Sequence, residues 1–191
     1  MLKGARCETA KCPMERQWRN APPGMHSWRR GRGTEYRLRL REKQKLKRYY
    51  GVFEKQFMRY FHRAERQKGS TGAALLSILE RRLDNVFCKL GLAPSRSAAR
   101  QAIAHGHVYV NARRLNVPSY LVRVGDRISI KDADRSRKLV RAWLEELGEP
   151  HVQNWLKLDL TKLEADVVAV PTREDVMIPV EEQLIVELCG Q

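Results

Sequence analysis

No apolar run in this chain approaches the roughly 18 residues that a membrane-crossing helix needs. The first residues also lack the apolar core of a secretory signal. Their arginine content is faintly like that of a transit peptide, but Glu8, Glu15 and two cysteines argue against that use. Cysteine is scarce. Cys88 falls in an apolar helical pattern, Cys189 lies near the last residue, and Cys7 and Cys12 stand five apart. This is no disulfide framework, and a reducing compartment is the simpler reading. No Ser or Cys nucleophile motif accompanies His105 and His107, so nothing in their surroundings reads as catalytic. Repeats are lacking as well.

Acidic residues are also lacking from most of the chain. Residues 1–70 carry 20 Lys/Arg against 6 Asp/Glu, and residues 71–140 carry 13 against 5. Residues 141–191 reverse this, with 4 against 11. The formal charge of +15 is therefore concentrated in the first three-quarters of a chain of 191 residues. A long cationic region on a foldable chain favours a polyanionic partner. Hydrophobic residues make up 42%, enough for a real core without staples.

Four stretches follow from the patterning. Residues 1–34 are rich in Gly, Pro, Arg and Trp, and Pro22-Pro23-Gly24 breaks any helix. They read as an extended basic arm that orders along phosphates. Residues 35–80 read as a helical N-terminal domain. Strong helix formers over 36–50 give a helix with one basic face, carrying Arg37, Arg41, Lys45, Lys47 and Arg48 and ended by Gly51. In 52–67, Phe53, Phe57, Tyr60, Phe61 and Ala64 recur at helical spacing and are expected in the core. Ser70 or Thr71 caps the next helix.

Leu75, Leu76, Leu79, Leu83, Val86, Phe87 and Leu90 have the spacing of one buried helix face, which Gly91 stops. A short helix follows, capped by Ser95 or Ser97 and ended by Gly106; its Ala98, Ala99, Ala102 and Ile103 point inward and Arg96, Arg100 and Gln101 outward. Strands are expected at 108–110, 113–115, 120–124 and 127–130, with Asn111-Ala112 as a tight turn. Residues 136–148 read as helix, and 155–160, 167–170 and 183–188 as late strands extending the sheet. The expected fold class is α+β: a helical N-terminal domain, a module over 81–143 with two helices packed on an antiparallel sheet, and a C-terminal segment, 144–191, whose strands pack on that module.

Between residues 95 and 114 the chain concentrates Arg96, Arg100, Gln101, His105, His107, Asn111, Arg113 and Arg114. Guanidinium forks donate paired hydrogen bonds to phosphate oxygens, and helix N-termini add backbone N–H groups. Such a set reads the shape and phosphate spacing of folded RNA more than its sequence.

Residues 81–130 resemble the small RNA-binding domain named after ribosomal protein S four. The resemblance lies in Arg82-Leu83-Asp84-Asn85, Gly91, Arg96, Ala99-Arg100-Gln101, Gly106-His107, Val110-Asn111, Pro118-Ser119-Tyr120 and Gly125-Asp126. That domain is shared with pseudouridine synthases, tyrosyl-tRNA synthetases and a heat-shock protein. The flanks are similar to the S four family proper, of bacterial or organellar type: Pro22-Pro23-Gly24, Leu40-Arg41-Glu42-Lys43-Gln44-Lys45-Leu46, Tyr50-Gly51-Val52, Glu54-Lys55-Gln56-Phe57, and Val180-Glu181-Glu182-Gln183-Leu184-Ile185-Val186-Glu187. The resemblance implies a non-enzymatic constituent of the small subunit of a cytoplasmic or organellar ribosome. It implies primary binding of small-subunit (16S-type) ribosomal RNA at a helix junction of the 5′ domain, nucleation of the subunit body, and a part in translational accuracy. It also implies ribosomal proteins S three and S five as neighbours, a place near the messenger RNA entry region, no membrane, and, in some members, repression of their own messenger. Arg96, Arg100, Gln101, His105, His107, Asn111, Arg113 and Arg114, the basic face of Arg37, Arg41, Lys45, Lys47 and Arg48, and His26 are the expected RNA contacts.

Two departures stand out. Cys7 and Cys12 resemble the second half of a zinc site in some family members, whose first pair would lie upstream of this sequence. A closed structural site needs four ligands, and even with His26 the set is incomplete, so no cofactor is expected. Ala112 stands where the family's hairpin turn has Gly, although positive φ disfavours Ala.

Overall fold

The computed structural model describes residues 4–7, 9–10, 12, 24–25, 33–148 and 150–190. The arm over 1–34 and His26 therefore lie largely or wholly outside the described residues. The fold is α+β, with seven α-helices and one five-stranded antiparallel sheet among the described residues. Two separate groups of buried side chains hold it together.

The first group belongs to a helical lobe. Helix α1 (Glu35–Tyr50) starts at Thr34, whose hydroxyl accepts the Arg37 N–H, and stops where Gly51 turns left-handed at φ 62°. Helix α2 (Glu54–Glu65) buries Phe57, Tyr60, Phe61 and Ala64, the expected stripe. Phe53 breaks that expectation. It sits at the N-cap, before the helical repeat begins, and is 83% exposed. Ser70 caps α3 (Thr71–Glu80) by accepting the Ala73 N–H.

The apolar stripe from Leu75 to Leu90 does not form one helix. It breaks at Arg81 and Arg82, and α4 (Leu83–Lys89) follows. Tertiary bonds cause the break. The Leu83 and Asp84 N–H groups donate to the carbonyls of Tyr120 and Pro118, and the Val122 N–H donates to the Arg81 carbonyl. Two of these bonds, Leu83 to Tyr120 and Val122 to Arg81, make the isolated bridge of Leu121 with Arg82; 120–124 forms no named strand among the described residues.

The second group of buried side chains lies between helices α4, α5 (Arg96–Ala104) and α6 (Asp134–Leu147) and one face of the sheet. Ser95 caps α5 by accepting the Ala98 N–H at 3.2 Å. The strands are β1 (Val108–Val110), β2 (Arg113–Arg114), β3 (Arg127–Ile130), β4 (Leu156–Asp159) and β5 (Glu164–Val167), in the order β2-β1-β3-β5-β4. Val110 faces Ile128 and Ile128 faces Ala165, so a row of inward side chains crosses the sheet. The two late strands thus extend the sheet. The second of them starts earlier than the apolar run implies: Ala165 and Val167 alternate into the core, whereas Val168 and Val170 are exposed. Asn111 and Ala112 take φ of 50° and 62° in the β1–β2 hairpin, the paired left-handed geometry of a type I′ turn, reached here without glycine.

The tail differs most from expectation. Residues 183–188 belong to helix α7 (Glu182–Cys189), which packs on α1 and α3 rather than on the sheet. Val176, Ile178, Val180 and Ile185 fill the helical core, and Arg39 on α1 pairs with Glu187 at 3.0 Å. The end of the chain therefore completes the lobe begun by α1. No described helix is long and apolar enough to cross a membrane.

Candidate nucleic-acid interface

The two lobes are joined by a buried polar seam. Arg82 is almost fully buried. Its guanidinium donates to the Tyr60 hydroxyl at 2.8 Å and pairs with both oxygens of the Asp84 carboxylate. Beside it, Glu80 accepts from Tyr50 Oη at 2.5 Å, Asn85 Nδ2 at 2.6 Å and Lys89 Nζ at 2.8 Å. Burial first, and then the Glu80 charge, pushes the Tyr50 hydroxyl far above its ordinary value, so it stays a proton donor. Such a seam fixes one lobe against the other, and with them the cations that each carries.

Those cations meet in a concavity of about 340 Å³. Arg48 and Phe53 enter it from the helical lobe, and Asp84, Arg96, Ser97 and Arg100 from the other side. Arg100 is exposed (54% for its side chain) and its only described carboxylate neighbour, Asp84, is 3.9 Å away and already held by Arg82. Arg96 is half-buried instead. Its Nε donates to Asn85 Oδ1 at 2.7 Å and its guanidinium lies 3.9 Å from the Tyr49 ring centroid. It holds the lobes together and shows the concavity what remains of its charge.

The other expected contacts divide into free and committed groups. Arg37, Arg41 and Arg48 are exposed along α1. Lys45 donates to the Pro179 carbonyl. Lys47 is withdrawn, its side chain 13% exposed and its ammonium 2.5 Å from Glu54, which Lys43 shares. Those two ammonium groups hold the Glu54 carboxyl below its ordinary range. Gln101 and His105 are exposed at the outer face and end of α5. His107 Nδ1 lies 2.9 Å from Ser136 Oγ. Burial, then the charges of His105 and Lys131, lowers its pKa. Asn111 is committed twice over: its amide donates to Asp126 at 2.8 Å and accepts the Arg127 N–H at 2.9 Å. Its visible work is to hold the hairpin to β3. Arg113 and Arg114 are exposed on the edge strand β2, and Arg114 covers the Gly106 backbone so closely that a Cβ there would come within 2.3 Å of its Nε.

Cys7 ends a short 3-10 turn, Gly4–Cys7, and Cys12 is buried. No group of three or more His, Cys, Asp or Glu converges among the described residues.

Residues 1–80 match the ribosomal protein S4/S9 N-terminal domain, and residues 81–128 match the S4 domain. Small ribosomal subunit protein uS4 of Halothermothrix orenii is 55% identical over 186 residues, covering 97% of this chain and 88% of that protein. The chain belongs to the uS4 family of small ribosomal subunit proteins. The uS4 proteins of Syntrophobacter fumaroxidans and Thermus thermophilus are 47% and 48% identical, each over 97% of this chain and 88% of its own length. The family's two matched domains meet at residues 80 and 81, inside the helix break that carries the seam.

Three cations at this seam escape a reading by sequence pattern: Arg63 on α2, Arg81 in the break and Arg123 in the loop before β3. They come from three distant segments and share no motif, so only the fold brings them together.

Proposed function

We propose that this protein is a structural, non-catalytic component of the small ribosomal subunit, where it binds small-subunit ribosomal RNA. The observation that carries this reading is the convergence of Arg48 from one lobe and Arg96 and Arg100 from the other on one concavity, across a buried seam that fixes their spacing. A rigid pair of lobes with cations on both sides of a cleft fits folded RNA, which is recognised by shape and phosphate position. Family membership supports the ribosomal setting. In the finer form of the proposal, the chain is a primary binder of a helix junction in the 5′ domain. There it nucleates the body of the subunit, near ribosomal proteins S three and S five and the messenger entry region, and it contributes to accuracy. The arm over 1–34, with His26, and the α1 arginines extend the contact, in the cytoplasm or an organelle.

The test is direct binding to a small-subunit RNA fragment over a salt series. Neutralising roughly 8 phosphates gives a slope of log affinity on log salt of about −6 to −7. Arg100→Glu loses a charge-assisted contact worth about 1.5–3 kcal/mol, hence about 10–150-fold in affinity, without unfolding the chain. A flat salt response refutes RNA binding by charge neutralisation. Unchanged affinity removes Arg100 from the interface.

A further inference from the structure

We propose that Arg63, Arg81 and Arg123 form a second anion site, separate from the Arg48–Arg100 concavity, that takes one phosphodiester of the RNA strand; this rests on the RNA-binding reading above. The three arginines line a cavity of about 340 Å³ together with Gln56, Ser119 and Tyr120. At ~30 Å³ per water, that is room for on the order of ten waters, more than one phosphate group occupies. The walls supply donors: three guanidinium groups, the Gln56 amide and the Tyr60 and Ser119 hydroxyls.

Its arginines make no ion pair among the described residues. None of the three arginines has a carboxylate within 4.0 Å among the described residues. Asp126 is an acid that acts on Arg81, and its oxygens already accept from Asn111 Nδ2, the Arg123 N–H and Tyr120 Oη. Arg81 donates its Nε to the Val122 carbonyl at 2.8 Å, which fixes the plane of its fork and leaves the terminal nitrogens for a ligand. Burial, then the charges of Arg63 and Arg123, keeps its pKa below the ordinary value. The fold thus tolerates a like-charge triad that an anion would relieve.

The seam argues for RNA over an acidic peptide. Tyr60 lines this cavity and Asp84 lines the other, and the single buried side chain of Arg82 bonds to both. A polymer with closely repeated charge that follows the seam meets both sites, whereas an acidic side chain meets one.

The experiment uses the full chain carrying Arg63→Gln and Arg123→Gln together, which spares the Arg81–Val122 bond. Binding to a small-subunit RNA fragment is measured over a potassium chloride series, with thermal unfolding alongside and polyglutamate as a competing acidic probe. The inference expects a salt slope shallower by about 0.7–0.9, the share of one phosphate, affinity lower by about 5–20-fold, and a thermal midpoint unchanged or raised because repulsion has been removed. It is overturned if slope and affinity match the parent's while the parent's slope stays steep, if the midpoint falls, or if only polyglutamate binding is lost. A flat slope in the parent protein refutes the RNA-binding reading itself, and the two failures are distinguishable.

Discussion

Glu80→Gln tests the buried seam with one atom changed. Glu80 is 0% exposed, and one oxygen takes the Tyr50 hydroxyl while the other takes Asn85 Nδ2 and Lys89 Nζ. Lys89, 9% exposed, gives its remaining donors to Gln153 Oε1 at 2.8 Å and the Asp175 carbonyl at 2.9 Å. In the variant, the new amide can still accept from Tyr50, but its NH₂ faces two donors and the ammonium loses its counter-charge. Breaking a buried pair in this way costs about 3–5 kcal/mol, a large part of the roughly 5–15 kcal/mol that holds a protein folded. With a urea slope of about 2–3 kcal/mol/M, the midpoint falls by about 1–2.5 M. Adding Lys89→Met restores part of the loss, because with both charges removed no ammonium is left stranded in the interior. The variant also carries a pH signature. Burial already lowers the Lys89 pKa, and removing Glu80 lowers it further. The folded state then sheds this proton before the unfolded state does, so the variant's stability rises with pH as the ordinary lysine value of about 10.4 is approached from below. A midpoint shift under about 0.3 M, or a double variant no more stable than the single, would refute the argument.

Two further outcomes are expected. Ala112→Gly relieves a left-handed alanine in the type I′ turn and stabilises the chain by about 1 kcal/mol, read as a rise of about 2–4 °C in thermal midpoint; a fall would mean the hairpin is not strained there. His107 titrates below the ordinary histidine value of about 6.5. Because the unfolded chain binds that proton first, the stability linked to His107 is full above about pH 6.5 and is lost as pH falls towards the lowered value. Histidine NMR checks the titration midpoint, and a His107 midpoint above about 6.5 contradicts the assigned burial.

The fold class and most helices were legible because local pattern and tertiary need agree there. Helices α1, α2 and α5 carry their own caps or stripes, and β1 and β3 alternate cleanly. The break at Arg82 was not legible, because Leu79, Leu83 and Val86 keep helical spacing straight through it while the cause lies at Tyr60 and residues 118–122. Residues 183–188 are too short for their apolar pattern to separate strand from helix, and the face of α1 decides. For the candidate interface, residue type was readable and commitment was not. Lys47 is taken by Glu54, Asn111 by Asp126 and Arg96 by Asn85, each partner supplied by another turn, strand or helix.

The docking of α7 onto α1 has a consequence for synthesis. The helical lobe begins at Glu35 but closes only with the residues from Val176 onward, α7 among them. At about 5–20 residues per second, the chain spends about 5–20 s making the stretch between Glu80 and Glu182. For that interval the apolar flank of α1 and α3 is born without its cover, and the newly made protein is most open to a chaperone, or to misassociation, before its last helix arrives.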